Sequence, residues 1–204
     1  MNESGDTALV SVIKSSMDKS VVTFLLENQA DVNLAYKYGN TPLICAIGKQ
    51  NIGIIEILLK YKATVNYVKE DGFTPLLAAI YKNDAVIVRI LLNGGADVNF
   101  VCECGLTPLY AAVVRGNTEI IKVLLCYGAK SNIETCGSTL LYKAIKSGHT
   151  YVVQLLLSGK YSPILGNYEV IQRIFRNLAK VNAVYEFGLT PRRFIWQQKQ
   201  NTSE

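Results

Sequence analysis

The chain has one histidine among its 204 residues. General acid–base catalysis needs a group that titrates near neutrality beside a nucleophile or a second acid, and no such companion can be read for His149. A Walker phosphate loop, a dinucleotide-binding glycine fingerprint and an HExxH zinc motif are also missing. An enzyme is therefore not expected. Long apolar runs are lacking too. Even Val21 to Leu26 is interrupted by Thr23, which leaves no membrane span, and the polar, acidic start from Met1 to Asp6 does not read as a secretory leader. The five cysteines (Cys45, Cys102, Cys104, Cys126, Cys136) are odd in number and follow no framework spacing, so free thiols in a reducing compartment are expected, without a disulfide. Only one residue separates Cys102 from Cys104, and a fourth ligand is wanting, which argues against tetrahedral zinc. No metal or cofactor is expected. Finally, no dense basic run occurs, although the net charge is +5 and residues 101–204 hold 12 Lys or Arg against 6 Asp or Glu. That skew is a weak nucleic-acid signal.

What is abundant is apolar content, at 50% of residues, against 18% charged ones. Such a chain folds rather than remaining disordered. Its apolar residues are periodic. Gly39, Thr41, Pro42 and Leu43 return as Gly72, Thr74, Pro75 and Leu76, then as Gly105, Thr107, Pro108 and Leu109, a step of 33 residues. Leucine pairs keep the same step at Leu25–Leu26, Leu58–Leu59, Leu91–Leu92 and Leu124–Leu125, as do the stretches Ala30–Asn33, Ala63–Asn66, Ala96–Asn99 and Ala129–Asn132. Three motifs in phase identify an array of one small unit.

Within a unit, Thr74 and Pro75 supply an N-cap and a first-turn proline for a short helix running to Tyr81. Asn83 and Asp84 break it. Val86, Val88, Ile90, Leu91 and Leu92 then form the apolar stripe of a second helix that stops at Gly94 and Gly95. Asp97 to Gly105 is too polar for a helix and predicts a protruding finger. A lone unit cannot hide its leucines, each worth about 1.5–3 kcal/mol when fully buried, so stability must come from stacking. Small residues at Ala46, Ala79, Ala112 and Ala144 suit close helix approach.

Gly-x-Thr-Pro-Leu, two helices ending in Leu-Leu, and Gly-Ala-Asp-Val-Asn resemble the ankyrin repeat. The resemblance implies an all-α solenoid of stacked helix-turn-helix units with β-hairpin fingers. Residues 1–33 read as an N-terminal capping repeat, and 34–66, 67–99, 100–132 and 133–159 as regular repeats. A truncated repeat follows at 160–182, and a C-terminal half-repeat with a tail at 183–204. The Gly148–His149 pair is similar to one that such repeats place before their second helix, so His149 reads as structural.

The same resemblance implies a concave face, lined by fingers and first helices, that binds another protein. Carried over residue by residue, the finger positions are Lys37, Tyr38, Glu70, Asp71, Phe73, Glu103 and Leu106. The first-helix ends are Lys49, Tyr81, Lys82, Val114, Arg115 and Lys146. Lys49, Lys82 and Arg115 recur at the 33-residue step and predict a row of cations, with Lys146 at its end. Tyrosine and arginine dominate binding hot spots, which singles out Tyr38, Phe73, Tyr81 and Arg115. The degenerate array and a composition rich in Ile, Asn, Lys and Tyr are similar to ankyrin proteins of large DNA viruses such as poxviruses. That likeness implies a modulator of host signalling, monomeric and cytoplasmic, with the nucleus as second compartment, and not secreted. The alternative is nucleic-acid binding through the basic C-terminal half, by Arg173, Arg176, Lys180, Arg192 and Arg193.

Overall fold

The computed structural model describes residues 6–15, 18–103, 105–131 and 140–158. They form ten helices in five pairs: α1 (Ala8–Lys14) with α2 (Lys19–Glu27), α3 (Pro42–Gly48) with α4 (Ile52–Lys60), α5 (Pro75–Tyr81) with α6 (Ala85–Asn93), α7 (Pro108–Arg115) with α8 (Thr118–Cys126), and α9 (Leu140–Lys146) with α10 (Thr150–Ser158). The expected truncated repeat and half-repeat at 160–204 lie outside the described residues.

Helices α1 to α8 start where the sequence provides a cap. The hydroxyls of Thr7, Thr41, Thr74 and Thr107 accept from the backbone N–H three residues on, at 3.1–3.3 Å. Proline fills the first helical position of α3, α5 and α7, where its missing N–H leaves nothing unsatisfied. Second helices use a carboxylate or amide instead. Asp18, Asn51, Asp84 and Asn117 cap α2, α4, α6 and α8. The threonines at 41, 74 and 107 are buried, so the capping bond also satisfies a polar group withdrawn from water.

First helices pack in succession, α1 on α3, α3 on α5, α5 on α7 and α7 on α9. Second helices lie behind them, with α2 on α4 and α6 on α8. Ala46, Ala79, Ala112 and Ala144 are fully buried where the first helices meet, as the small side chain there requires. One member in three of the four leucine pairs, Leu58, Leu91 and Leu124, is likewise sealed. A single apolar core runs through the described repeats.

A polar ladder reinforces this stacking. The Asn66 carboxamide accepts from Asp97 N at 2.8 Å and donates to Gly95 O at 2.9 Å, so one side chain grips the helix end of the following repeat. Asn33 does the same with Thr64 N and Lys62 O, and Asn99 with Lys130 N and Gly128 O. Only an amide offers donor and acceptor together in this geometry.

The fingers are shorter than hairpins. No strand forms among the described residues; the finger of the second repeat contributes one isolated antiparallel bridge, Tyr36–Asn40. Among the described residues the fingers at 36–40, 69–73 and 102–106 are each closed by two backbone bonds, such as Lys69 N to Phe73 O and Gly72 N to Lys69 O. Gly39, Gly72 and Gly105 enter the left-handed region there, with φ of 66°, 76° and 77°.

Candidate interaction surface

The end of α5 and the base of its finger meet. The ring of Phe73 lies 5.1 Å from that of Tyr81, tilted by 46°. From the next repeat, the Arg115 guanidinium sits over the Tyr81 ring, 5.1 Å from its centroid. Tyr81, Lys82, Val114 and Arg115 are all exposed, and Phe73 is half-buried. The sequence placed these residues on one face individually; the structure brings Phe73, Tyr81 and Arg115 into one stack across two repeats.

The other expected contacts spread along the array. Lys49 caps the C-terminus of α3, Lys82 that of α5, and Arg115 and Lys146 are the last residues of α7 and α9, all four exposed. Tyr38 stands at a finger tip, 76% exposed and at φ 63°, a left-handed conformation that costs a side-chain-bearing residue about 1–2 kcal/mol. Lys37 lies in the same short 3-10 turn, Lys37–Gly39. Glu70 and Glu103 are exposed, whereas Leu106 packs partly against the core. Asp71 is already engaged. Lys69 Nζ lies 2.9 Å from its carboxylate and holds it below the ordinary carboxylate range, and the Phe73 N–H donates to it at 3.0 Å.

At the N-terminal end a different cluster closes the face. Lys14 Nζ pairs with Asp6 at 2.7 Å and lies 4.5 Å from the Tyr36 ring centroid. Tyr36 is half-buried rather than a free tip, and burial together with its bond to Cys45 pushes its hydroxyl well above the usual tyrosine range. Burial likewise raises the Cys45 thiol. A contact on the opposite side went unread in the sequence: Lys122 Nζ stands 5.5 Å from the centroid of the exposed Tyr151. No pattern announces it, because the two residues belong to successive repeats.

One cysteine reading is corrected: Cys102 is disulfide-bonded, against the expectation of free thiols throughout. Cys126 is a free thiol, exposed at the last position of α8. Cys45 is a free thiol and buried. His149 packs against Gly116, with its Nε2 3.3 Å from Val114 O, which is a structural position between repeats. No metal-holding group of His, Cys, Asp or Glu occurs among the described residues, and no described helix is long and apolar enough to cross a membrane. Arg173, Arg176, Lys180, Arg192 and Arg193 lie outside the described residues.

Capped helix pairs stacked through buried alanines, joined by tight glycine turns and pinned by an asparagine ladder, define a helical repeat protein. The family model for ankyrin repeats (3 copies) matches residues 9–101 and 86–165, and the chain belongs to the ankyrin-repeat family. A search of the curated proteins finds no match. Repeats of this family generally mediate protein–protein interactions and are typically non-enzymatic.

Proposed function

We propose that the chain is a non-enzymatic module that binds a partner protein through the concave face, where finger bases meet first-helix ends. The observation that carries this reading is the Phe73–Tyr81–Arg115 stack beside exposed Lys82 and Val114. An exposed cation–π contact is worth about 0.5–1 kcal/mol, enough to bias Arg115 and Tyr81 toward this orientation before a partner arrives. Preorganised aromatic and arginine side chains are the types from which interface hot spots are built. The degenerate array and its composition support a monomeric, cytoplasmic modulator of host signalling.

Affinity purification from cells, comparing the parent chain with Tyr81→Ala plus Arg115→Ala, tests the reading. Loss of the specifically co-purifying proteins from the variant, with its circular dichroism unchanged, is expected. An identical set of captured proteins would move the binding face elsewhere.

A further inference from the structure

Four first helices end at a cation, Lys49, Lys82, Arg115 and Lys146, and the repeats that carry them pack in direct succession. A cation at a helix C-terminus is favourable on its own because it faces the negative end of the helix dipole. That effect does not explain the pattern. Counting last turn and C-cap together, the second helices α2, α6 and α8 end without a basic residue, and α4 has one, Lys60. Among the described residues, the ion pairs use Lys14, Lys69, Arg89 and Lys122 and none of the four cations in the row. The row is thus confined to one face and left without carboxylate partners there, while Lys14, at the end of the preceding first helix, is already paired with Asp6.

The spacing of the row selects the shape of what it would hold. Packed helices stand about 8–10 Å apart. A polyproline II segment turns once every three residues and rises about 9 Å in doing so, which puts every third side chain on one side in step with the row. An extended β-strand repeats a face at about 6.7 Å and falls out of register. An α-helix comes near only over two turns, at about 10.5 Å, and would need about twenty residues to span four cations. The exposed Tyr81 ring, backed by half-buried Phe73 and partly covered by the Arg115 guanidinium, offers an aromatic edge that suits a proline ring of such a segment.

We propose that the occupant of this face is an acidic, proline-containing segment in polyproline II form, with a carboxylate at every third residue over about ten residues. The proposal rests on the protein-binding reading above and names the partner's chemistry. Carboxylates would meet the four cations in turn, and a proline would lie against the exposed edge of Tyr81.

The experiment uses the full chain and fluorescein-labelled peptides of repeated Glu-Pro-Ala triplets, measured by fluorescence anisotropy at low and at physiological salt. A peptide of the same length and composition, with its glutamates gathered at alternate positions of one stretch, is the control, and oligothymidine is the competitor. The triplet peptide is expected to bind at least about tenfold tighter than the control, with salt weakening both. Lys82→Gln plus Arg115→Gln should weaken it about four- to twentyfold, Tyr81→Ala by about tenfold or more, and Lys60→Gln plus Lys130→Gln, exposed cations off the row, should leave it unchanged. Equal binding of the two peptides, equal loss in the off-row variant, or tighter binding of oligothymidine would overturn the proposal. Co-purifying proteins that depend on Tyr81 and Arg115 but contain no acidic three-residue period would sink it while leaving the protein-binding reading intact.

Discussion

Two repeats near the N-terminal end and two further along make the same turn after their first helix with different residues. The turn is entered in the left-handed region by Gln50 at φ 54° and Asn83 at φ 61°, and later by Gly116 at 67° and Gly148 at 69°. The backbone bonds match at all four: Asn51 N to Ala46 O, Asp84 N to Ala79 O, Asn117 N to Ala112 O and His149 N to Ala144 O. A side-chain-bearing residue in this region is strained by about 1–2 kcal/mol, so the earlier turns hold strain that the later ones lack. What they gain is a reach into the next repeat. Gln50 Nε2 donates to Asp84 at 3.3 Å, and Asn83 Oδ1 accepts from Asn117 Nδ2. At Gly116 the direction reverses, and the imidazole of His149 reaches back from the following repeat into the space a side chain would fill. At the turns of Gln50, Asn83 and Gly116 neighbouring repeats are therefore pinned either by a side chain that reaches forward or by a glycine that admits one reaching back.

The largest way to break this comparison is Gly116→Ala. A Cβ there would stand 2.5 Å from His149 Cε1 in addition to the left-handed strain, whereas at Gly148 nothing lies within 4 Å. Gly116→Ala is expected to destabilise the chain by about 2–4 kcal/mol, and Gly148→Ala by about 1 kcal/mol. Urea unfolding followed by circular dichroism measures both. In a Gly116→Ala plus His149→Ala double variant the clash is gone, and the cost specific to position 116 should fall to that of position 148. If the two glycine variants cost the same, the reaching-back contact carries no stability.

The period, the helix pairs and their caps were legible because each is written within a few residues. Thr74, Pro75 and Gly95 act on their own helices as the sequence implied, while Asp84, read only as a break, caps α6. Contacts between repeats were legible only in phase. The recurrence of Asn33, Asn66 and Asn99 was plain, but their amide bonds reach 29 and 31 residues ahead, and nothing local states that purpose. Tyr81 and Arg115 were chosen by residue type, yet the stack that joins them depends on where the next repeat lies. The fingers read as hairpins because their extended, glycine-ended pattern suits strands; two backbone bonds per tip are too few to make one.

A smaller effect of opposite sign is expected at Lys62, the residue that ends α4 in left-handed geometry at φ 65°, where the two later repeats have Gly95 and Gly128. The Lys62 side chain is exposed, and its carbonyl, not its ammonium, receives the Asn33 amide. Lys62→Gly removes strain without removing that bond. Part of the gain is lost because glycine gives the unfolded chain more freedom, so a net stabilisation of about 0.5–1 kcal/mol is expected. Thermal unfolding would show a rise in Tm. An unchanged or lower Tm would mean that the earlier repeats do not hold strain at this turn.

Asn83→Gly brings the two opposing terms together at one residue. Removing the side chain releases strain of about 1 kcal/mol, less than for other residues because asparagine tolerates the left-handed region comparatively well. It also removes the acceptor for Asn117 Nδ2, worth about 0.5–1.5 kcal/mol for an ordinary hydrogen bond. The two nearly cancel, so the expected change in unfolding free energy is close to zero. Asn83→Ala keeps the strain and loses the bond, and should therefore destabilise by about 1–2 kcal/mol. Asn117→Ala is not a simple partner deletion, because the Asn117 carboxamide also caps α8 through Ile120 N at 2.9 Å. A double-mutant cycle with Asn83→Ala subtracts that cap and leaves the inter-repeat term alone. A coupling of about 0.5–1.5 kcal/mol would show that the side chain at the strained turn is retained for its grip on the next repeat. Zero coupling, with Asn83→Gly clearly stabilising, would leave the strain at Asn83 without a compensating contact.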